Sequence, residues 1–128
     1  MTFSVTLDVP DLAAGIAFYG GVFGFVEVAR PIPDYAVLDA GGQRLSLMRK
    51  AAGSRATPAD GTERSYARHW TPVHLDFHVE YFEAAVAAIG RLGGVCEAVH
   101  RVPGRSVIAF CGDPFGHGFC VLGPPPAD

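Results

Sequence analysis

The chain runs through one pattern of elements twice, and that duplication constrains its fold more than any other feature. Its clearest statement is His74-Leu75-Asp76-Phe77-His78-Val79. Strict alternation of polar and apolar residues is the period of a half-buried β-strand. Leu75, Phe77 and Val79 take one face; His74, Asp76 and His78 take the other. Phe82, Ala85, Val86, Ile89 and Leu92 follow at helical spacing, and that helix is the natural cover for the apolar face. The polar face, with three titratable side chains, is left for water, a ligand or internal hydrogen bonds.

The first half states the same pattern. Ser4 to Val9 alternates, with Val5, Leu7 and Val9 apolar and Ser4, Thr6 and Asp8 polar. Pro10 ends that strand because it has no N–H for a ladder. Asp11 is placed to cap a helix carrying Leu12, Ile16, Tyr19 and Phe23 on one stripe, and Gly24 to stop it. Strands follow at 25–29, 35–38 and 44–49, with turns at 31–34 and 39–42. After the second helix come strands at 95–99, 107–111 and 118–122. Ser4 answers His74, Leu7 answers Phe77 and Val9 answers Val79 at one constant offset. The expected fold is α+β: two βαβββ modules in one domain, a half-open mixed β-barrel around a shared cavity. Module one covers about 1–50, a linker or mobile loop about 51–70, module two about 71–123 and a Pro-rich tail 124–128.

Composition narrows the function. At 49% hydrophobic, the 128 residues build a real core rather than a disordered chain. A net charge of -3 without a basic run speaks against nucleic acid, and no apolar stretch is long enough for a membrane span. The start of the chain has no signal-peptide character, so a cytoplasmic protein is expected. Cys96, Cys111 and Cys120 are odd in number and lack CxxC spacing, which speaks against a disulfide framework and a structural zinc site. Each reads as a small buried residue in a reducing compartment.

Two segments resemble a known group. Val5-Thr6-Leu7-Asp8-Val9-Pro10-Asp11-Leu12 with Phe18-Tyr19 and Phe23-Gly24-Phe25, and the closing Asp113-Pro114-Phe115-Gly116-His117-Gly118-Phe119-Cys120, resemble the vicinal oxygen chelate superfamily. This is the group of glyoxalases, extradiol dioxygenases, fosfomycin-resistance enzymes and bleomycin-binding proteins, and the glyoxalase-like branch is the nearest in character. The resemblance spans nearly the whole chain. It implies the fold strongly and the activity weakly, since the group contains lyases, dioxygenases, transferases and plain binders. It also implies metal ligands early in each first strand and in each last strand, which here are Ser4, Ser46, His74 and Cys120. Only His74 is of the usual His or Glu type, so no cofactor is expected.

His74 and His78 lie roughly 13 Å apart along one strand, at about 3.3 Å per residue, too far to share an ion. His74 and Asp76 are close enough to pair, and Cys120 is the third donor that a divalent metal would need. The simpler reading is His74 hydrogen-bonded to Asp76 or to water, with Cys120 an inert thiol. Trp70, the sole tryptophan, stands where the linker enters the second module and is placed to contact a flat ligand; Tyr35, Phe110 and Phe115 are further candidates. The expected ligand-binding set is Trp70, His74, Asp76, His78, Cys120, Ser4, Thr6 and Ser46. The expected function is binding of a small aromatic or apolar molecule without a metal, by a homodimer whose sheet edges would otherwise be exposed. The alternatives are a metal-dependent lyase, isomerase or dioxygenase built on His74, and an accessory domain with a structural role.

Overall fold

The computed structural model describes residues 1–59 and 61–127. The described chain divides into two compact units, Met1–Tyr66 and Ala67–Asp128. Unit one contains β1 (Thr6–Val9), α1 (Leu12–Phe23), β2 (Val26–Ile32), β3 (Tyr35–Ala40) and β4 (Gln43–Arg49). Unit two contains β5 (Leu75–His78), α2 (Phe82–Arg91), β6 (Val95–His100), β7 (Ile108–Gly112) and β8 (Gly118–Leu122). Each is an open four-stranded sheet, ordered β1-β4-β3-β2 and β5-β8-β7-β6. The expected tandem of βαβββ modules is what the chain forms.

The first strand of each module pairs in parallel with the last, which the intervening helix makes possible. Thr6 lies opposite Ser46, and Asp76 opposite Cys120. Because side chains alternate, this register sends Leu7, Val9 and Leu47 to the helix side of the first sheet, and Phe77, Phe119 and Val121 to the helix side of the second. Val9, Leu47 and Val121 are fully buried there. The opposite, open faces carry Thr6 and Ser46 in one module and Asp76 and Cys120 in the other.

Asp11 caps α1 by accepting from Ala14 N at 3.0 Å, and Gly24 ends it in the left-handed region at φ 77°. The buried stripe is Leu12, Gly15, Phe18 and Tyr19, so the seam is rotated from the expected one, and Ile16 and Phe23 are only half-buried. Gly15 sits on that seam. A Cβ there would lie 3.0 Å from Leu47 Cδ1, so its bare backbone lets the helix settle closely on β4. In α2 the buried positions are Phe82, Ala85, Ala88 and Ile89, which repeat the α1 set at the offset of the strands.

Three local features differ from the sequence reading. Pro31 and Ile32 belong to β2 rather than to a turn, because β2 is an edge strand with register shifts on either side of Ala29, where a missing N–H is tolerated. Residues after Lys50 are held to module one. Tyr66 Oη donates to Lys50 O at 2.6 Å, Arg64 N to Ser54 O at 2.7 Å, and Arg64 Nε to Asp8 Oδ2 at 2.8 Å. In the turn at 113–117, which the sequence reading left without a role, Asp113 caps backbone groups. The buried Asp113 carboxylate accepts from Phe115 N at 2.9 Å and His117 N at 3.0 Å, and its other oxygen lies 2.7 Å from His117 Nδ1. These contacts close the β7–β8 hairpin. Among the described residues no helix is long and apolar enough to cross a membrane.

Candidate functional site

The open face of the second sheet gathers chemistry from four strands. On β5 and β8, His74, Asp76 and Cys120 have ligand-type atoms all within 4.8 Å of one another. His74 lies one residue before β5, and its Nδ1 is 3.0 Å from Asp76 Oδ1. Cys120 is 4% exposed, whereas His74 and Asp76 meet solvent. Burial, then the charge of Asp76 and its hydrogen bond, push the Cys120 thiol up to about 11. A thiol so protonated is a hydrogen-bond donor to Asp76 and a poor nucleophile.

Trp70 reaches the same face from residues 67–71, a segment that crosses the sheet ahead of β5. Two glycines make room for it. Gly112 and Gly118 are register partners on β7 and β8. A Cβ on Gly118 would lie 2.5 Å from Trp70 Cε3, and one on Gly112 would collide with the Arg68 side chain. Two adjacent strands thus present bare backbone as a floor, on which the indole and the guanidinium lie. The Arg68 guanidinium stands 4.7 Å from the Trp70 ring centre, within cation–π range. Rings of His74 and Phe110 flank the indole at 6.0 and 6.1 Å, and His100 stands 5.0 Å from Phe110. Trp70 remains 40% exposed.

Glu97 holds this arrangement and was missed in the sequence. A register shift between Cys96 and Ala98 turns the Glu97 carboxylate toward Arg68 and Trp70. Its Oε1 accepts from Trp70 Nε1 at 2.9 Å and from Arg68 Nη2 at 2.8 Å. The Trp70 hydrogen bond, and after it Arg68, lower the Glu97 carboxyl below its ordinary 4.5. Arg68 also donates to the carbonyls of His69, Gly116 and Cys111. The sequence signal for this assembly was the pair of isolated glycines in strand positions.

His78 ends β5 and is exposed, opposite Leu122. Ser4 lies outside β1, since the last bond of that ladder runs from Ser46 N to Val5 O. Thr6 and the buried Ser46 are neighbours on the open face of module one. Hydrogen bonding to Ser46, and after it to Thr6, lowers the Tyr35 phenol below its ordinary 10.0. Phe115 is buried in the β7–β8 turn and belongs to the core.

His74, Asp76 and Cys120 are the residues that would hold a metal. A spread of 4.8 Å needs only small side-chain adjustment to close on bonds of about 2.0–2.3 Å. The mixed nitrogen, oxygen and sulfur set suits a zinc-like ion better than magnesium or manganese. Three protein ligands would leave a position for water or substrate.

The Glyoxalase-like domain family matches residues 4–122. Among solved structures, a glyoxalase/bleomycin resistance protein/dioxygenase family enzyme from Burkholderia phytofirmans PsJN is 25% identical, with TM-score 0.70, covering 94% of this chain and 95% of that one. A glyoxalase-related enzyme from Fulvimarina pelagi is 21% identical, with TM-score 0.68, covering 97% and 88%. A mutant of the fosfomycin resistance protein FosX from Listeria monocytogenes, solved with Mn(II) and 1S,2S-dihydroxypropylphosphonic acid, is 19% identical, with TM-score 0.71, covering 95% and 88%. No curated protein matches the chain. With a family match across almost its full length and two βαβββ modules in the expected order, the chain belongs to the Glyoxalase-like domain family of the vicinal oxygen chelate superfamily.

Proposed function

We propose that the open face of module two binds a small, flat, largely apolar molecule, and that it does so without a metal. The observation that carries this reading is the mounting of Trp70. A tryptophan hydrogen-bonded to Glu97, laid on Gly118 and still part-exposed offers ring area at little conformational cost. Phe110 and His100 extend the aromatic surface. The His74–Asp76 pair and the Cys120 thiol supply polar contacts that orient the ligand. On module one, considered by itself, Thr6, Ser46 and Tyr35 form a separate hydroxyl-bearing patch. The test is titration of Trp70 emission with a panel of planar aromatic compounds, repeated on His74→Ala. Saturable change in the wild type, weakened in the variant, is the expected result. A panel without response sinks the reading.

A second reading is favoured by the clustering of His74, Asp76 and Cys120. There the protein would be a metal-dependent lyase, isomerase or dioxygenase, as the Mn(II) bound to a FosX relative suggests. Bound metal would supply Lewis acidity. Elemental analysis of untagged protein separates the two: one divalent ion per chain favours the enzyme, and an ion-free protein that binds ligand favours the first reading.

We further propose a cytoplasmic homodimer. Val26, Val28 and Ile32 on edge strand β2 are exposed, and such a row favours pairing with another chain. Light scattering reads the oligomeric state directly, and a monomer at micromolar concentration would exclude it.

A further inference from the structure

Strands β6 and β7 set two thiols opposite each other. Cys96 and Cys111 are register partners in this antiparallel ladder. Directly opposed residues in such a ladder have Cα atoms either about 4.5 or about 5.5 Å apart, depending on whether the pair exchanges hydrogen bonds. Both values lie inside the roughly 4.4–6.8 Å that a disulfide spans. The Cys96 thiol donates to Ala98 O at 3.8 Å, and its nearness to Cys111 is one of the causes that raise the Cys111 thiol. Cys120 lies opposite Phe110, whereas Cys111 lies opposite Phe119, so Cys120 projects from the other face of the sheet. The pair is also graded in access: Cys96 is half-buried, and Cys111 is 0% exposed.

We propose that Cys96 and Cys111 are an oxidisable pair that closes to a cross-strand disulfide by exchange with a small soluble disulfide such as oxidised glutathione. The Cys96 thiolate attacks one sulfur of that reagent, forms a mixed disulfide and expels one thiolate, which takes up a proton. Cys111 then gives up its proton and attacks Cys96 Sγ, displacing the second small thiolate. Two protein thiols are oxidised, and one small disulfide is reduced to two thiols. Burial, and after it the neighbouring Cys96, push the Cys111 thiol up to about 12, so the first attack falls to the more accessible Cys96. Closure has a route to the aromatic site. Glu97 follows Cys96 in the chain, and the Cys111 carbonyl accepts from Arg68 at 3.4 Å, so the new bond stiffens the backbone on which Trp70 is mounted.

The test uses the reduced full chain, exposed to oxidised glutathione, quenched with an alkylating agent and mapped by mass spectrometry. The expected product has lost two hydrogens, joins the peptides of Cys96 and Cys111, leaves Cys120 alkylated and reverts with dithiothreitol. Cys111→Ala, checked for folding by circular dichroism, stops at a glutathione adduct on Cys96, and Cys96→Ser gives neither product. A wild-type protein that accumulates the adduct without closing, or that joins Cys120 or a second chain instead, overturns the proposal.

Discussion

Trp70 and Glu97 are 27 residues apart in the chain, yet the indole N–H donates to the carboxylate at 2.9 Å. The bond exists because a one-residue irregularity in β6 turns Glu97 to the face that Trp70 crosses. The same carboxylate oxygen receives Arg68, so one acid orders both side chains that lie on the glycine floor.

Removing that acceptor therefore releases the indole. Glu97→Gln keeps the shape and weakens the contact; Glu97→Ala removes it. The expected loss for the alanine variant is about 0.5–1.5 kcal/mol in urea unfolding, modest because the bond borders solvent. Trp70 emission shifts to longer wavelength as the ring gains water.

The pH dependence has a definite sign. Glu97 titrates lower in the folded chain than its ordinary 4.5, so the folded state favours the charged carboxylate. Its contribution is complete above pH 4.5 and is lost as pH falls through the lowered value. Emission from Trp70 is expected to stay constant above that point and to change below it. In Glu97→Gln this transition disappears, and its persistence there would assign it to another acid.

Gly118→Ala tests the floor. A methyl group 2.5 Å from Trp70 Cε3 cannot be accommodated in place, so the indole moves and the floor tilts. Overpacking of this kind costs about 1–3 kcal/mol, and any ligand that responds through Trp70 loses affinity with it. Thermal unfolding and fluorescence titration read the two effects separately.

Gly15→Ala sets helix propensity against packing. Alanine favours the helix by about 1 kcal/mol, but the new methyl meets Leu47 Cδ1 at 3.0 Å. Leu47 is fully buried, so it must shift within the core to admit the methyl group. A net destabilisation of about 1 kcal/mol is expected. An increase in melting temperature would show that α1 can lift from its sheet.

Cys120 is expected to react slowly. With its thiol held up to about 11, alkylation by iodoacetamide near neutral pH runs well below the rate of free cysteine. A rate equal to or above that of the free amino acid would mean that a cation stabilises the thiolate, and would favour the metal-dependent reading.

Period alone was enough to place the strands, the helices and the split between covered and open faces. Leu7, Phe77 and their neighbours alternate without interruption, and the register observed is the one that alternation requires. Single residues that break the period were harder to read. At Glu97 the count slips by one, so Val95 and Val99 face opposite ways although they are two strand periods apart. At Pro31 an edge strand tolerates what an interior strand would reject. Long-range pairs were invisible for another reason: nothing local at Arg64 says that it reaches Asp8, and nothing near Arg68 says that it rests on Gly112. His74, Asp76 and Cys120 were legible as a group because alternation and the parallel register both put them on one side.

The buried Asp113 carboxylate fastens the bend between β7 and β8, and so decides which residue of β7 meets which residue of β8. Displace that alignment by one position and every side chain of β8 would turn over: the thiol of Cys120 would sink beneath α2, and the ring of Phe119 would surface beside His74. The difference between the greasy underside of this half and its reactive upper surface thus rests on one acid in the bend that joins the two strands.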